Sequence, residues 1–151
     1  MTTTGMTGLR STGATMFSPM YLSYLARACA ELGKFDDAWR WINGATAAMQ
    51  TNKESWWEAE ICRIEGELAL KPTPDAARAE AYFERALAVA RQQQAKSWEL
   101  RAAMSMARLW RDQGKPQQAR ELLGSVYGWF MEGFDTRDLK EAKALLEQLA
   151  V

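Results

Sequence analysis

Apolar residues recur every three or four positions along most of this 151-residue chain, and that spacing predicts amphipathic helices. The first helix is expected to begin at Ser18-Pro19, a cap followed by proline in the first turn, and to end at Gly33. Its apolar stripe comprises Leu22, Leu25, Ala26, Cys29 and Leu32. A second helix is expected to follow from Asp36 or Asp37, and its apolar side comprises Ala38, Trp41, Ile42, Ala45 and Met49.

Proline, glycine and capping residues divide the rest of the chain into five further predicted helices. A segment with two prolines cannot be helical, and Asp75 is expected to cap the helix that comes after it. Gly114 ends the fifth predicted helix, Pro116 starts the sixth, and Asp135 or Thr136 caps the seventh. Leucines line one side of the seventh helix and charged residues cover the other, as in a helix that closes the end of an array.

The predicted helices repeat with a period of about 40 residues, as repeat arrays do. Shifting residues 10–49 forward by 81 positions aligns them with a later stretch without a gap. The matched pairs include Ala26 with Ala107, Arg27 with Arg108, Gly33 with Gly114 and Lys34 with Lys115. A shift of 41 aligns Trp57 with Trp98 and Leu68 with Leu109. This periodicity predicts stacked helix pairs that share a continuous core.

The repeat also sets the expected domain boundaries. We expect residues 1–15 to be a disordered lead-in that ends with the tail of a truncated helix. Residues 16–151 are expected to form a single helical repeat domain. Its repeats are predicted at about 16–52, 53–95 and 96–132, with a capping helix at 135–150.

Small residues and glycines recur at fixed spacing in two of the repeats. The first repeat has Leu25-Ala26-x-x-Cys29-x-x-Leu32-Gly33-x-Phe35-x-x-Ala38-x-x-x-Ile42-x-x-Ala45, and the third repeat has Met106-Ala107-x-x-Trp110-x-x-x-Gly114. Both patterns resemble the tetratricopeptide repeat (TPR). In that family small residues lie where the paired helices cross, and a glycine turns between them. The resemblance implies an all-α, TPR-like right-handed superhelix of about three helix hairpins plus a C-terminal capping helix.

The repeat is longer than the 34 residues that are usual in the TPR family. This longer variant is similar to the C-terminal helical arrays of bacterial signalling proteins that carry an ATPase module and, in some, a nucleotide-cyclase domain. Short tracts at 57–60, 96–101 and 133–142 carry the similarity. It implies a cytoplasmic regulatory or docking arm that is a fragment of a larger bacterial signalling protein.

Composition excludes several classes of function. Lys plus Arg and Asp plus Glu number 19 each, so no net charge is available to attract nucleic acid or an anionic membrane broadly. The apolar runs are too short to span a bilayer. Histidine is absent, and Cys29 and Cys62, which we expect to be reduced, cannot form a zinc site alone. No glycine-rich loop has the lysine and hydroxyl that hold a phosphate. We therefore expect no enzyme, no cofactor and no metal.

The concave face is the strongest candidate site that the resemblance implies. In TPR proteins this face is lined by fixed positions of the first helix of each pair. On this chain those positions are Met20, Ser23, Arg27, Glu60, Arg63, Glu67, Arg101, Met104, Arg108 and Arg111. Arg27 and Arg108 occupy equivalent positions in two repeats and have the chemistry to clamp a carboxylate or a phosphate. The other interpretation is that such arginines pair with Glu60 and Glu67 or lie across apolar surface.

The predicted function is non-catalytic recognition of a peptide or a neighbouring domain in this groove. Two alternatives stay open. One is a small-molecule sensor with an aromatic pocket between helices. The other is a self-association module in which Trp39 and Trp41, or the N-terminal end, pair two copies into a homodimer. Of the seven tryptophans, Trp57, Trp98 and Trp110 are expected to belong to the core.

Overall fold

The computed structural model describes residues 18–52, 56–71, 73–130 and 136–150. Seven α-helices occupy most of these ranges: α1 (Ser18–Glu31), α2 (Phe35–Asn52), α3 (Glu58–Ala69), α4 (Ala76–Gln92), α5 (Lys96–Asp112), α6 (Pro116–Tyr127) and α7 (Arg137–Leu149). No strand occurs within these ranges, so the predicted all-α fold class is confirmed. None of these seven helices combines the length and the apolar character needed to cross a bilayer. The predicted lead-in at 1–15 and the alternative cap Asp135 lie outside the described residues.

Local sequence sets several helix ends where the pattern predicts them. α1 begins at Ser18, and it is followed by Gly33 with a φ of +78°. Gly114 has the same φ after α5, and this left-handed conformation costs little in glycine because there is no Cβ. Asp75 accepts a hydrogen bond from the backbone N–H of Arg78 and so caps α4. These ends are therefore determined by contacts within one turn.

The remaining helix ends include one turn whose backbone conformation is unusual. Pro116 is the first residue of α6, and the hydroxyl of Thr136 accepts a hydrogen bond from the backbone N–H of Leu139 at the start of α7, both as predicted. Between α4 and α5, however, the left-handed residue is Gln94, with a φ of +55°. The chain turns there without glycine, at a backbone cost that glycine would not have.

The helices pack as three consecutive pairs, α1 with α2, α3 with α4 and α5 with α6, and α7 lies against α6 and α5. The first helices of the pairs are also neighbours, because α3 contacts both α1 and α5. The order of neighbours α1, α3, α5 and α7 therefore brings one face of each of these four helices to a common surface. We call these four helices the inner row.

Two apolar clusters stabilise the packing. The smaller cluster joins α1, α2 and α3 and includes Leu22 and Ile42. The larger cluster extends from α3 to α7 and includes Phe83 and Leu123. Because each cluster draws on more than one helix pair, every pair covers apolar surface that its neighbour cannot cover alone.

Trp57 links all three helix pairs at the start of α3. Its side chain is buried, and its indole N–H donates a hydrogen bond to the hydroxyl of Ser23 in α1 at 2.9 Å. Its ring meets the ring of Trp98 in α5 edge-on, with 4.9 Å between the centroids. Trp57 is therefore a core residue, as predicted, whereas Trp98 and Trp110 are half-buried at the edge of the core.

Candidate functional site

A cavity of about 450 Å³ opens on the inner row. Its walls come from all four helices of the row and from the residue that caps α7. The lining residues are Arg27, Arg63, Glu67, Arg101, Met104, Arg108, Thr136, Arg137, Asp138 and Glu141. We call this space the arginine cavity.

Helical spacing places the lining residues of each helix on one side. Arg101, Met104 and Arg108 are three and four residues apart and follow a single stripe along α5. Arg63 and Glu67 are one turn apart on α3. The arginine cavity therefore follows from the helical period of α3 and α5 combined with the order of the helices in the inner row.

The floor of the arginine cavity is a buried ion network. Arg63 donates from Nε to the carboxylate of Glu60 and from Nη1 to Oε1 of Glu67, the latter at 2.8 Å. Arg101 forms an ion pair with the same carboxylate of Glu60. Ser105 donates from its hydroxyl to Glu67 at 3.1 Å. The charges of Glu60 and Glu67 are thus neutralised by arginines of two neighbouring helices, α3 and α5.

Arg63 is fixed in its charged form within this network. Burial alone would lower the pKa of its guanidinium, but Glu67 and Glu60 outweigh burial and raise the pKa above its ordinary value. The residue is only 5% exposed. Within the described part of the chain, Nη2 of Arg63 is the single buried side-chain nitrogen or oxygen that lacks a hydrogen-bond partner. A buried donor without a partner costs about 1–3 kcal/mol, so this nitrogen has unused capacity to bind an acceptor.

The rim of the arginine cavity is less tightly paired. Arg108 approaches Glu141 only to 3.9 Å, and Arg101 approaches Asp138 to the same distance, both longer than a hydrogen bond. Arg27 is half-buried and forms no ion pair with any residue in the described ranges. The rim guanidiniums of α1 and α5 therefore keep donors free for another acceptor.

Charge is concentrated at the arginine cavity although the whole chain is neutral. Five arginines and three carboxylates line it, which leaves an excess of two positive charges on the lining. The carboxylate of Glu60 beneath the floor reduces this excess to one. A concave, partly desolvated site with this balance favours an anionic ligand.

Six of the ten residues predicted for the concave face line this one cavity, namely Arg27, Arg63, Glu67, Arg101, Met104 and Arg108. The structure places the other four differently. Met20 is half-buried against the smaller core cluster, and Ser23 is fully buried, bonded to Trp57. Glu60 lies beneath the cavity floor. Arg111 lies on an adjacent hollow that Arg108 also lines, where it donates to Gln148 at 3.0 Å.

Sequence reasoning missed the four lining residues at the start of α7, which are Thr136, Arg137, Asp138 and Glu141. It treated α7 as a cap with a solvated charged face. The sequence signal for these residues was a cluster of charged side chains immediately after the helix N-cap. The first turn of the terminal helix lies beside the preceding inner helix, so its charged side chains reach the same cavity. Arg137 donates to Glu141 at 2.9 Å, so part of this charged turn is internally paired.

The tryptophans predicted for self-association are half-buried. Trp39 has the guanidinium of Arg78 at 4.5 Å over its ring and the ring of Tyr82 beside it. Trp41 packs against the smaller core cluster. The large exposed apolar side chains are instead Tyr21, Tyr24, Leu32, Trp56 and Trp129.

Neither thiols nor grouped metal ligands add chemistry to the site. Cys29 and Cys62 are not joined by a disulfide, in agreement with the prediction of reduced thiols. Burial, with a smaller contribution from Glu65, raises the pKa of the Cys62 thiol to about 12, which keeps it protonated. Within the ranges that the structure describes, no three His, Cys, Asp or Glu side chains come together as a metal ion requires.

No protein-family model matches the chain, and a search of the curated proteins finds no match. We therefore infer function from the arginine cavity and the charges around it.

Proposed function

We propose that this chain is a non-catalytic recognition module, a TPR-like right-handed superhelix that binds an acidic segment of a protein in the arginine cavity. The partner is a peptide or a domain of the same signalling protein, in keeping with the resemblance to regulatory arrays of cytoplasmic bacterial proteins. The observation that carries the proposal is the convergence of arginines from four helices on one cavity, where Arg27 has no ion pair with any described residue.

The interpretation as a ligand clamp and the interpretation as internal ion pairs each apply to different arginines of the cavity. Arg63 and Arg101 pair with buried carboxylates, so they support the floor of the cavity. Among the described residues Arg27 has no ion-pair partner and Arg108 is only loosely paired, so these two are the clamp candidates. Forked guanidinium donors at equivalent positions of two repeats suit the bidentate binding of carboxylates along an extended acidic segment.

A recognition role fits the lining better than the other functions that the sequence left open. Among the residues that the structure describes, the lining has no aromatic side chain, whereas a sensor pocket for an uncharged small molecule is usually rich in them. No cysteine or histidine lines it in the described part of the chain, the hydroxyl of Ser105 in the floor is bonded to Glu67, and the hydroxyl of Thr136 already caps α7. This set of side chains favours holding a charged group over reacting with it.

A charge-reversal experiment tests the proposal. A library of fluorescent peptides rich in Asp and Glu is titrated with the protein, and binding is followed by anisotropy. We expect Arg27→Glu and Arg108→Glu to weaken binding at least tenfold, because each change replaces a donor with a repelling charge. The matched control is Arg120→Glu, an exposed arginine on α6 away from the cavity, which should bind as the wild type does.

Thermal unfolding of the variants separates binding from folding. Arg27 and Arg108 make no close ion pair, so their substitution should leave the melting temperature within about 2 °C of the wild type. Equal loss of binding in all three variants would indicate a non-specific charge effect. Unchanged binding in the two cavity variants would exclude the arginine cavity as the docking site.

Self-association is a second candidate function, favoured by one observation on α1. Tyr21 and Tyr24 of α1 and Leu32 in the turn directly after it are 41%, 50% and 72% exposed. The residues equivalent to the two tyrosines in the third repeat, Ala102 and Ser105 of α5, are buried because the preceding helix pair covers them. Within the described ranges no preceding helix pair covers this aromatic side of α1, which suits another copy of itself.

Sedimentation velocity at micromolar concentration tests this second candidate. We expect a dimer that Tyr24→Lys converts to a monomer, because a buried lysine would be left without a partner. Trp129→Ser removes an exposed aromatic residue after α6 and should leave the dimer intact. A wild-type monomer at the highest concentration measured would rule out α1 as a self-association surface.

A further inference from the structure

We propose that the ligand group of the arginine cavity is a phosphoryl group, carried on a serine or threonine of the bound protein segment. This inference rests on the proposed function and specifies the chemistry that the cavity selects. Three features of the site support a phosphoryl group over a carboxylate.

The first feature is the direction from which donors reach the cavity. Arg27 comes from α1, Arg63 from α3 and Arg108 from α5, so guanidiniums lie on three separate helices. A carboxylate is planar and offers two oxygens, which one forked guanidinium satisfies. A phosphoryl group is tetrahedral and offers three terminal oxygens, each a strong acceptor. Donors from three helices match the second geometry.

The second feature is the first turn of α7. Thr136, Arg137 and Asp138 form part of the cavity wall, so the N-terminal end of a 13-residue helix borders the site. The first N–H groups of a helix have no partner within the helix, and the helix dipole makes this end positive. The hydroxyl of Thr136 satisfies only the N–H of Leu139. Helix N-termini with such free donors are frequent binding sites for phosphate.

The third feature is the unpartnered nitrogen of Arg63, a residue that lines the same cavity and is 95% buried. Its other donors are taken by Glu60 and Glu67, so the side chain is held in place. A fixed guanidinium with an unused donor is preorganised for an additional acceptor oxygen. It is a separate donor from the α7 terminus because it lies on α3, although Arg101 connects its partner Glu60 with Asp138 of α7.

Charge balance agrees with these three features. With Glu60 beneath the floor included, the site carries an excess of one positive charge, and a phosphoryl group carries between about −1.5 and −2 at neutral pH, so an anion of this kind more than offsets the excess. Asp138 and Glu141 lie on the same wall, but they approach Arg101 and Arg108 only to 3.9 Å. A phosphoryl oxygen at normal hydrogen-bond distance would therefore compete well for these guanidiniums.

The volume of the cavity indicates that the phosphoryl group is attached to a larger molecule. About 450 Å³ lies within the range of ordinary ligand sites and exceeds what a single phosphoryl group fills. The additional space accommodates the side chain that carries the phosphoryl group and the adjacent backbone. This fits a phosphorylated segment of a protein better than a free phosphate ion.

Three peptide libraries that differ only at the central residue test the inference on the full chain. The central residue is phosphoserine, glutamate or serine, with the same degenerate flanks, and binding is measured by anisotropy in 150 mM NaCl. We expect the phosphoserine library to bind at least tenfold more tightly than the glutamate library. Inorganic phosphate should compete with it, and chloride at equal ionic strength should not.

Substitutions locate the selectivity. Arg27→Gln and Arg108→Gln remove charge while keeping a polar side chain, and each should reduce the tenfold preference to less than threefold. Arg120→Gln on α6 is the matched control and should keep the full preference. Circular dichroism spectra and melting temperatures equal to those of the wild type establish that the variants are folded.

Three other results of these binding experiments would each overturn the inference. If the phosphoserine and glutamate libraries bind equally and Arg27→Gln weakens both, phosphoryl selectivity is wrong and acidic docking stands. If inorganic phosphate raises the melting temperature but no library binds, the cavity takes a free anion and the protein-borne ligand is wrong. If neither the libraries nor inorganic phosphate bind, both the inference and the proposed function are wrong.

Discussion

Replacing Gly66 with alanine should destabilise this protein, although alanine is the better helix former. Gly66 is a buried residue within α3, and it faces Phe83 of α4. A Cβ atom at position 66 would lie 2.4 Å from Cε1 and 2.6 Å from Cδ1 of the phenyl ring. Because Phe83 is completely buried, the ring has no open space to enter. Either the ring leaves its rotamer or α3 and α4 move apart.

Two opposing effects set the size of the change. Helix propensity favours alanine over glycine by about 1 kcal/mol. Overpacking a well-packed core costs about 1–3 kcal/mol, and the very short distance to the ring places this substitution at the upper end. We therefore expect the free energy of unfolding to fall by about 2 kcal/mol. For a chain of this length, the melting temperature should fall by about 4–8 °C.

Urea denaturation followed by tryptophan fluorescence measures the effect, and Gly124→Ala provides a matched control. Gly124 is inside α6, and outside the backbone of that helix an added Cβ there would come no nearer than an unstrained 4.0 Å to Cδ2 of Leu146. This control should gain up to about 1 kcal/mol of stability. Combining Gly66→Ala with Phe83→Leu should recover at least about 1 kcal/mol relative to the sum of the single changes. A Gly66→Ala protein as stable as the Gly124→Ala protein would refute the close packing of α3 against α4.

Three further predictions concern buried charges and thiols. Burial raises the pKa of Glu65 to about 7, so the stability linked to its bound proton is complete below the unfolded value of 4.5 and is lost as the pH rises through 7. Glu65→Gln should therefore stabilise the protein by about 1–2 kcal/mol at pH 8, after allowance for partial exposure, and hardly at all at pH 4. Urea denaturation measures the effect, and an equal stabilisation at both pH values would contradict this prediction. Glu60→Gln removes a buried carboxylate shared by two arginines and should cost about 3 kcal/mol in the same assay, whereas a loss below 1 kcal/mol would show that the network is not needed for stability. At pH 8 a thiol reagent should modify Cys29 in the native protein and Cys62 only after unfolding, because burial raises the pKa of the Cys62 thiol to about 12. Equal rates of modification of the two thiols in the native protein would contradict the burial of Cys62.

The helix ends and the all-α class could be predicted from sequence because short-range rules decide them. Gly33, Asp75 and Thr136 each act within one turn of their own position, so no knowledge of the neighbouring helices was needed. The left-handed backbone at Gln94 also depends on local contacts, because the N–H of Gln94 donates to the carbonyl of Arg91 and that of Ala95 to the carbonyl of Ala90, as at the glycine turns. Glutamine, unlike glycine, gives no sign of that conformation in the sequence.

The candidate site could be predicted only in part, because sequence spacing fixes which residues share a helix face but not what that face meets. Arg27 and Arg108 were found through the repeat, and they do line one cavity. Glu60 was assigned to the open face, but α3 is enclosed by α1, α4 and α5, so this side of the helix is buried. The pairing of Glu60 with Arg101 depends on the rotation of two helices about their axes, which the helical period alone does not determine.

The seventh helix connects the stability of the array with binding at the arginine cavity. Its stripe of Leu139, Ala142, Leu145 and Leu149 is buried in the larger core cluster, while its first turn forms a wall of the cavity. A ligand held between that turn and the arginines of α5 binds only when α7 is docked. At one hundred times its dissociation constant such a ligand stabilises the docked state by about 2.7 kcal/mol. Hydrogen exchange in α7 should therefore slow on binding far more than in α2, which contributes no residue to the cavity lining. Equal slowing in both helices would mean that the ligand stabilises the whole array from another site, and that α7 is a cap without a part in recognition.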